Sequence, residues 1–244
     1  MTLIAAAGLP WRWPRAHSGG LAGASAGSSF EKTTVYTVYA FATPNSVKVP
    51  IVLEELGLAY DLRGVNVRKG EQKAESFAAL NVNGKVPVLI DSDGSDGAMT
   101  LTESAAILVY LAEKHGQLLP AEGMARARVF EQLFFHASAL SPAFGQSGFF
   151  RNHAEPMPVA IDRFHGEAKR VTRLLDGVLA QRPYVAGDAY SIADIAHFGW
   201  FWRRAFAGID FAETPNLARW YETVAQRPAV QRAIARVEAL VPAA

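Results

Sequence analysis

The sequence predicts an α/β half followed by an all-α half, in a chain of 244 residues. Three observations carry this reading. Strand-like and helix-like segments alternate from Thr33 to His115 as βαβ–α–ββα. After Glu122 no strand pattern remains, only apolar residues at helical spacing. Between the two lies Gly116 to Glu122, a natural linker.

The elements follow in order. Thr33 to Tyr39 is β-branched and aromatic, which marks a first strand. Thr43-Pro44-Asn45 is a turn or helix start, and Val49, Val52, Leu53 and Leu56 recur at helical spacing until Gly57 stops them. Pro50 sits inside that early helix, where it is expected to remove a bond and bend it. Tyr60 to Val67 alternates as a second strand. A charged loop and a short helical piece around Phe77 to Leu80 follow. Asn81-Val82-Asn83-Gly84 is a turn, Pro87 to Ile90 a third strand, Asp91 to Gly97 a polar hairpin loop and Met99 to Leu101 a fourth strand. Two strands joined by a helix imply a parallel pair, and the hairpin adds an antiparallel one. Ser104, Ile107, Leu108 and Leu111 share a helix face closed by His115-Gly116.

Farther on, Phe130, Leu133, Phe134 and Ala137 mark one helix, and Ile161 to Val178 a long second one. Ser191-Ile192-Ala193-Asp194 is a capping box in which Asp replaces the usual Glu, with Tyr190 and Ile195 at the staple positions. Pro215 and Pro228 each stand where a helix can begin. The organisation is therefore an extension over 1–32, a mixed-sheet domain over 33–116, a linker over 117–121 and a helical domain over 122–244.

Composition excludes several function classes. Half the residues are hydrophobic and 19% are charged, a globular balance. Lys+Arg 24 against Asp+Glu 23 leaves a net charge of +1, so nucleic-acid affinity has no global electrostatic basis. The absence of cysteine removes disulfides, thiolate metal sites and a cysteine nucleophile. The six histidines never fall three or four residues apart, so no helical metal pair is offered and no metal is expected. The uncharged run Gln132 to Phe150 carries His136, Pro142, three serines and two glycines, which makes a poor membrane span. Residues 1–32 read as a low-complexity, disordered extension rather than an export signal. No positive region precedes their apolar start, and Arg12 and Arg15 follow it.

Four segments carry a resemblance. Thr43-Pro44-Asn45-Ser46-Val47-Lys48-Val49 resembles the segment after the first strand of cytosolic glutathione transferases. Asn83-Gly84-Lys85-Val86-Pro87 resembles the turn before their cis-proline, Thr102 to Ile107 their glutathione-recognition motif, and Ser191 to Asp194 the capping box of their helical domain. The resemblance spans about residues 34 to 240. Thr-Pro-Asn together with Lys69-Gly70-Glu71-Gln72 looks like the bacterial Nu class, which is related to the yeast nitrogen-regulating prion protein. The family implies a thioredoxin-like first domain, glutathione as cosubstrate, a homodimer, and a cytoplasmic setting.

The resemblance also assigns roles. A free thiol titrates near ~8.5, so the site must supply donors and positive potential at the glutathione sulfur. Thr43 and Asn45 are the donors it implies. Thr43 also reads as an N-cap with Pro44 at the first helical position, and one hydroxyl can do both. Ser46 stands where the Nu class is expected to have glycine. Tyr36 and Tyr39 lie inside the first strand and read as packing. Val86 would pair with the cysteinyl backbone through a cis Val86–Pro87 bond. Ser104 at a helix start would bind the γ-glutamyl carboxylate and Glu103 its ammonium. Gln72 and Lys85 would reach the glycyl carboxylate, and Arg170 a neighbouring subunit's glutathione. Phe149, Phe150, Trp200 and Arg203 are the candidates for a second-substrate pocket, the two phenylalanines because they lie in a Gly-flanked stretch read as irregular. The expected activity is reduction of small disulfides, and of organic peroxides, by glutathione. The alternatives are conjugation of glutathione to an apolar electrophile and a non-catalytic binding module.

Overall fold

Four strands carry the first half: β1 (Tyr36–Ala40), β2 (Tyr60–Gly64), β3 (Val88–Asp91) and β4 (Met99–Leu101). The computed structural model describes residues 35–93 and 97–242. The expectations for the extension over 1–32, for Thr33 and Thr34, and for the tip of the hairpin loop lie outside the described residues. The sheet order is β2-β1-β3-β4. β1 runs parallel to β2 and antiparallel to β3, with Val38 opposite Leu62 and Leu89. β3 and β4 form the expected antiparallel hairpin. Alternate β1 residues Tyr36, Val38 and Ala40 are buried, the period-2 pattern of a strand with one covered face.

Three helices cover this sheet: α1 (Lys48–Glu55), α2 (Glu75–Ala78) and α3 (Ser104–His115). α1 begins later than Thr43-Pro44-Asn45 suggests, because Pro44 to Val47 forms a separate turn in which the Val47 N–H donates to the Thr43 carbonyl. Pro50 is the third residue of α1, and lacking an N–H it cannot donate to the Ser46 carbonyl, the bond it was expected to remove. The Ser46 carbonyl is served instead by the Val49 N–H. Gly57 and Gly116 end α1 and α3 in left-handed conformations (φ 67° and 63°).

The second half is helical: α4 (Gly123–Phe135), α5 (Ser141–Arg151), α6 (Pro158–Leu179), α7 (Ile192–Trp202), α8 (Pro215–Ala225) and α9 (Pro228–Glu238). A π-helical turn, His136–Leu140, joins α4 to α5. The chain therefore has the thioredoxin-like βαβ-α-ββα domain followed by an all-helical domain. α7 is buried from Ile192 to Phe201 and forms the centre of the core. Its capping box is formed as expected, with the Ser191 hydroxyl accepting from the Ala193 N–H and the Asp194 carboxylate accepting from the Ser191 N–H. Pro215 and Pro228 open α8 and α9.

The two halves pack as one unit, Thr34–Ala244. α9 clasps α1: Arg227 makes two hydrogen bonds to Glu55, and Arg232 and Arg236 both reach Glu54. Among the described residues no helix is long and apolar enough to cross a membrane.

Phe149 and Phe150 do not lie in irregular chain. They sit on α5, which runs unbroken through Gly145 and Gly148. The glycines serve close approach. A Cβ at Gly148 would collide with the Phe206 ring, and one at Gly145 would touch Trp200 at 3.5 Å. Small residues facing large rings in a packed helix explain a pattern that reads as loop in one dimension.

Candidate functional site

The turn after β1, the turn before β3 and the start of α3 meet in one open cleft. Asn45, Asn81, Lys85, Val86, Glu103 and Ser104 line it. Asn81 shapes the middle turn, donating from its amide to the Lys85 carbonyl (2.6 Å) and accepting from the Asn83 N–H (3.0 Å). The turn needs Gly84, which adopts φ 60° and lies so close to the Gln72 carbonyl that a Cβ would stand 3.3 Å from it. Gln72 is thus held beside the turn, with its buried Oε1 unpartnered. The Val86–Pro87 peptide is cis, as the resemblance implies. Among the described residues neither the Val86 N–H nor its C=O has a hydrogen-bond partner.

Glu103 immediately precedes α3 with φ 64°, a left-handed value for a residue with a side chain. Holding it there costs about 1–3 kcal/mol, a strain that clusters at ligand sites. It aims the first turn of α3, whose N–H groups have no intrahelical acceptors, at the cleft through Ser104.

Thr43 is placed differently from Asn45. Its hydroxyl is 2.9 Å from Ser46 Oγ and accepts from the Ser46 N–H at 3.2 Å. The N-cap-like reading therefore describes its contacts, and the buried Ser46 is what engages it. Tyr36 is packing, as expected, with its hydroxyl 2.8 Å from His115 Nε2.

Sequence reasoning missed the centre of this region. Lys48 is fully buried, with no carboxylate in salt-bridge range among the described residues. Its ammonium lies 2.7 Å from Asn45 Oδ1, 2.7 Å from His136 Nε2 and 3.3 Å from Ser104 Oγ. Burial pushes Lys48 down to about 7, while Glu103 holds it up. In its ammonium form Lys48 can only donate, and His136 then accepts through Nε2 with its proton on Nδ1, which is buried without a partner. His136 and His197 lie with ring centroids 5.4 Å apart. α7 closes over Lys48 at Gly199, where a Cβ would run into the Pro44 carbonyl and sit 3.1 Å from Lys48 Cε. The one available signal was a lone cation among Val47, Val49, Ile51 and Val52.

His197 gives a pH prediction. Its Nδ1 donates to the Ala193 carbonyl, and burial pushes the ring from 6.5 down to about 4. The unfolded chain binds this proton first as pH falls, so the contribution is complete above about 6.5 and lost toward about 4. Urea unfolding across that window should lose about 3 kcal/mol from this residue. His197→Asn, which keeps the donor without the titration, should flatten the acid limb by that share. An unchanged limb would contradict the assignment.

The remaining candidates stand apart from the cleft. Arg170 lies on α6 and makes two hydrogen bonds to Glu167. Phe150 stacks on Phe164 (5.3 Å), while Trp200 packs edge-on to Phe144 and donates to Ser141 Oγ. Arg203 lies over the Trp202 ring at 3.7 Å. Phe149, 54% exposed, is the one of the four with a large free surface. A larger groove of about 200 Å³ runs between α6 and the segment 208–214, and Lys169, Arg173, Asp210 and Glu213 are among the residues that line it. None of the sequence-derived candidates lines it. Among the described residues no group of three or more side chains is arranged to hold a metal ion.

A thioredoxin-like domain with a cis-proline turn and an open cleft, backed by a helical domain, is the arrangement that the resemblance to glutathione transferases implies. The chain matches the models of the glutathione S-transferase N-terminal domain over residues 42–114 and C-terminal domain over residues 147–228. It belongs to the glutathione transferase superfamily. It is similar to the disulfide-bond oxidoreductase YfcG of Escherichia coli, 38% identical over 207 residues that cover 82% of this chain and 95% of that protein. The disulfide-bond oxidoreductase YghU of the same organism is 35% identical over 245 residues, covering 91% of this chain and 84% of its own. Among solved structures, a glutathione transferase family member from Pseudomonas fluorescens with two glutathione bound superposes with a TM-score of 0.78. It is 36% identical and covers 84% of this chain and 94% of its own.

Proposed function

We propose that this protein is a glutathione-dependent disulfide-bond oxidoreductase. The observation that carries the reading is the cleft itself, which offers donors and an unpaired strand-like backbone in a chain with no cysteine of its own. The likeness to YfcG and YghU supports it. In this reading Val86 pairs with the cysteinyl backbone of glutathione. Ser104 and the start of α3 take the γ-glutamyl carboxylate, and Glu103 its ammonium. Lys85 and Gln72 serve the glycyl carboxylate. The sulfur lies toward Asn45 and Thr43, where donors favour the thiolate.

The thiolate attacks one sulfur of a small disulfide, giving a mixed disulfide and releasing a thiolate that takes a proton from water. A second glutathione thiolate attacks the mixed disulfide at the glutathione sulfur. This yields oxidised glutathione and releases the second product thiolate, which also takes a proton from water. The protein lends position and electrostatics, and every electron comes from glutathione. A twofold homodimer completes the reading, with Arg170 reaching the neighbouring subunit's glutathione.

Turnover of 2-hydroxyethyl disulfide with glutathione, beside conjugation of a dinitrohalobenzene, tests this. Disulfide reduction should dominate. Dominant conjugation would move the assignment to a conjugating transferase. Silence in both, with glutathione binding seen by calorimetry, would leave a binding module.

A further inference from the structure

We propose that Lys48 is a positioning residue whose buried ammonium, held by His136 of the helical domain, sets Asn45 and Ser104 as donors and supplies the countercharge for an anionic sulfur in the cleft. The inference rests on the reading of that cleft as a glutathione site.

The argument begins with valence. An ammonium has three hydrogens, and three acceptors surround this one: Asn45 Oδ1, Ser104 Oγ and His136 Nε2. Asn45 and Ser104 are ambivalent side chains, each able to donate or accept. With its oxygen turned to Lys48, the Asn45 amide keeps both N–H hydrogens free to donate. With a lone pair held by Lys48, the Ser104 hydroxyl keeps its hydrogen free. The lysine thus turns two ambivalent residues lining one cleft into donors. A cleft that shows donors selects ligands rich in lone pairs and negative charge.

The electrostatics point the same way. Bringing an ammonium out of water costs several kcal/mol unless a partner charge compensates it. The titratable groups facing Lys48 are Glu103 from the start of α3, His136 from the π-helical turn and His197 from α7. Burial holds both histidines neutral, and Glu103 acts only through space. The countercharge is therefore incomplete without a ligand. An anion bound at Asn45 and Ser104 would complete it and would in turn hold Lys48 protonated. The histidine that holds the lysine comes from 88 residues away. The electrostatics of a cleft on the mixed-sheet domain thus depend on the helical domain.

The test reads the thiol of bound glutathione. Calorimetry gives binding, and thiolate ultraviolet absorbance across pH gives the midpoint, for wild type, Lys48→Met and His136→Leu. In wild type the midpoint should lie well below the free-thiol value of ~8.5. In Lys48→Met it should rise by about one pH unit or more, roughly a tenfold loss of thiolate near neutrality. His136→Leu removes one acceptor from the ammonium and should move the midpoint the same way by less. Affinity for S-methylglutathione, which has no thiolate, should fall less than affinity for glutathione. A merely structural lysine would weaken both equally and leave the midpoint in place, and that result overturns the proposal. If Lys48→Met does not fold, the His136→Leu midpoint decides by the same criterion. If wild type itself binds no glutathione, the reading of the cleft falls first, before any variant is compared.

Discussion

Asn45→Ala should lower kcat/KM for disulfide reduction about 10²-fold, the usual scale for losing one preorganised donor to a developing anion. Asn45 Oδ1 is occupied by Lys48 at 2.7 Å, so its amide hydrogens are what the cleft receives. Alanine removes them and leaves the buried ammonium one acceptor short. Thr43→Ala should cost less, about tenfold, the lower end of what one well-placed donor supplies. The Thr43 hydroxyl is shared with Ser46, whose N–H and Oγ both contact it. Steady-state rates near neutral pH, on variants checked for native circular dichroism, give the comparison. A larger loss in Thr43→Ala than in Asn45→Ala would reverse the assignment of the principal donor.

Asp194→Ala should destabilise the fold by about 3–5 kcal/mol, as breaking a buried charged network does. Its carboxylate is fully buried and accepts four hydrogen bonds. Oδ1 takes the Val185 N–H at 3.0 Å and the Trp220 indole N–H at 2.9 Å, and Oδ2 takes the Ser191 N–H at 3.0 Å and its hydroxyl at 3.2 Å. Burial pushes the carboxyl up, and these donors pull it back. Alanine strands three buried N–H groups on different segments at once. Each unmade bond costs about 1–3 kcal/mol. Asp194→Asn can keep only one accepting oxygen and should fall between. Urea denaturation measures all three proteins. A loss under about 1 kcal/mol in the alanine variant, no more than one ordinary hydrogen bond is worth, would mean that the network relaxes around the gap.

What the sequence made legible was local. Ser191 and Asp194 are three residues apart, and their reciprocal bonds can be read from spacing alone. Pro215, Pro228 and Gly116 act on their own backbone and mark helix ends without any knowledge of neighbours. The position of Asn45, Lys85, Val86, Glu103 and Ser104 around one cleft was legible only through the family's motifs. Composition and periodicity bring no such distant segments together. Lys48 was not legible by either route, because its partners His136 and Ser104 lie 88 and 56 residues away. Phe149 and Phe150 were misread because Gly145 and Gly148 signal a loop until Trp200 and Phe206 are seen to fill the space beside them.

The contact between Gly199 and the Pro44 carbonyl has a consequence for modularity. Backbone meets backbone there with no room for a single methyl group, and the seam continues through Lys48 and His136 and through Glu55 and Arg227. The peptide that joins the two halves, between His115 and Gly123, is where they can be cut on paper. It is not where they separate in energy. A chimaera that took one half from a relative would inherit a foreign residue opposite Pro44, or a foreign acceptor opposite the lysine. For recombination and for inheritance, the first half travels with α7, α9 and the π-helical turn as one block.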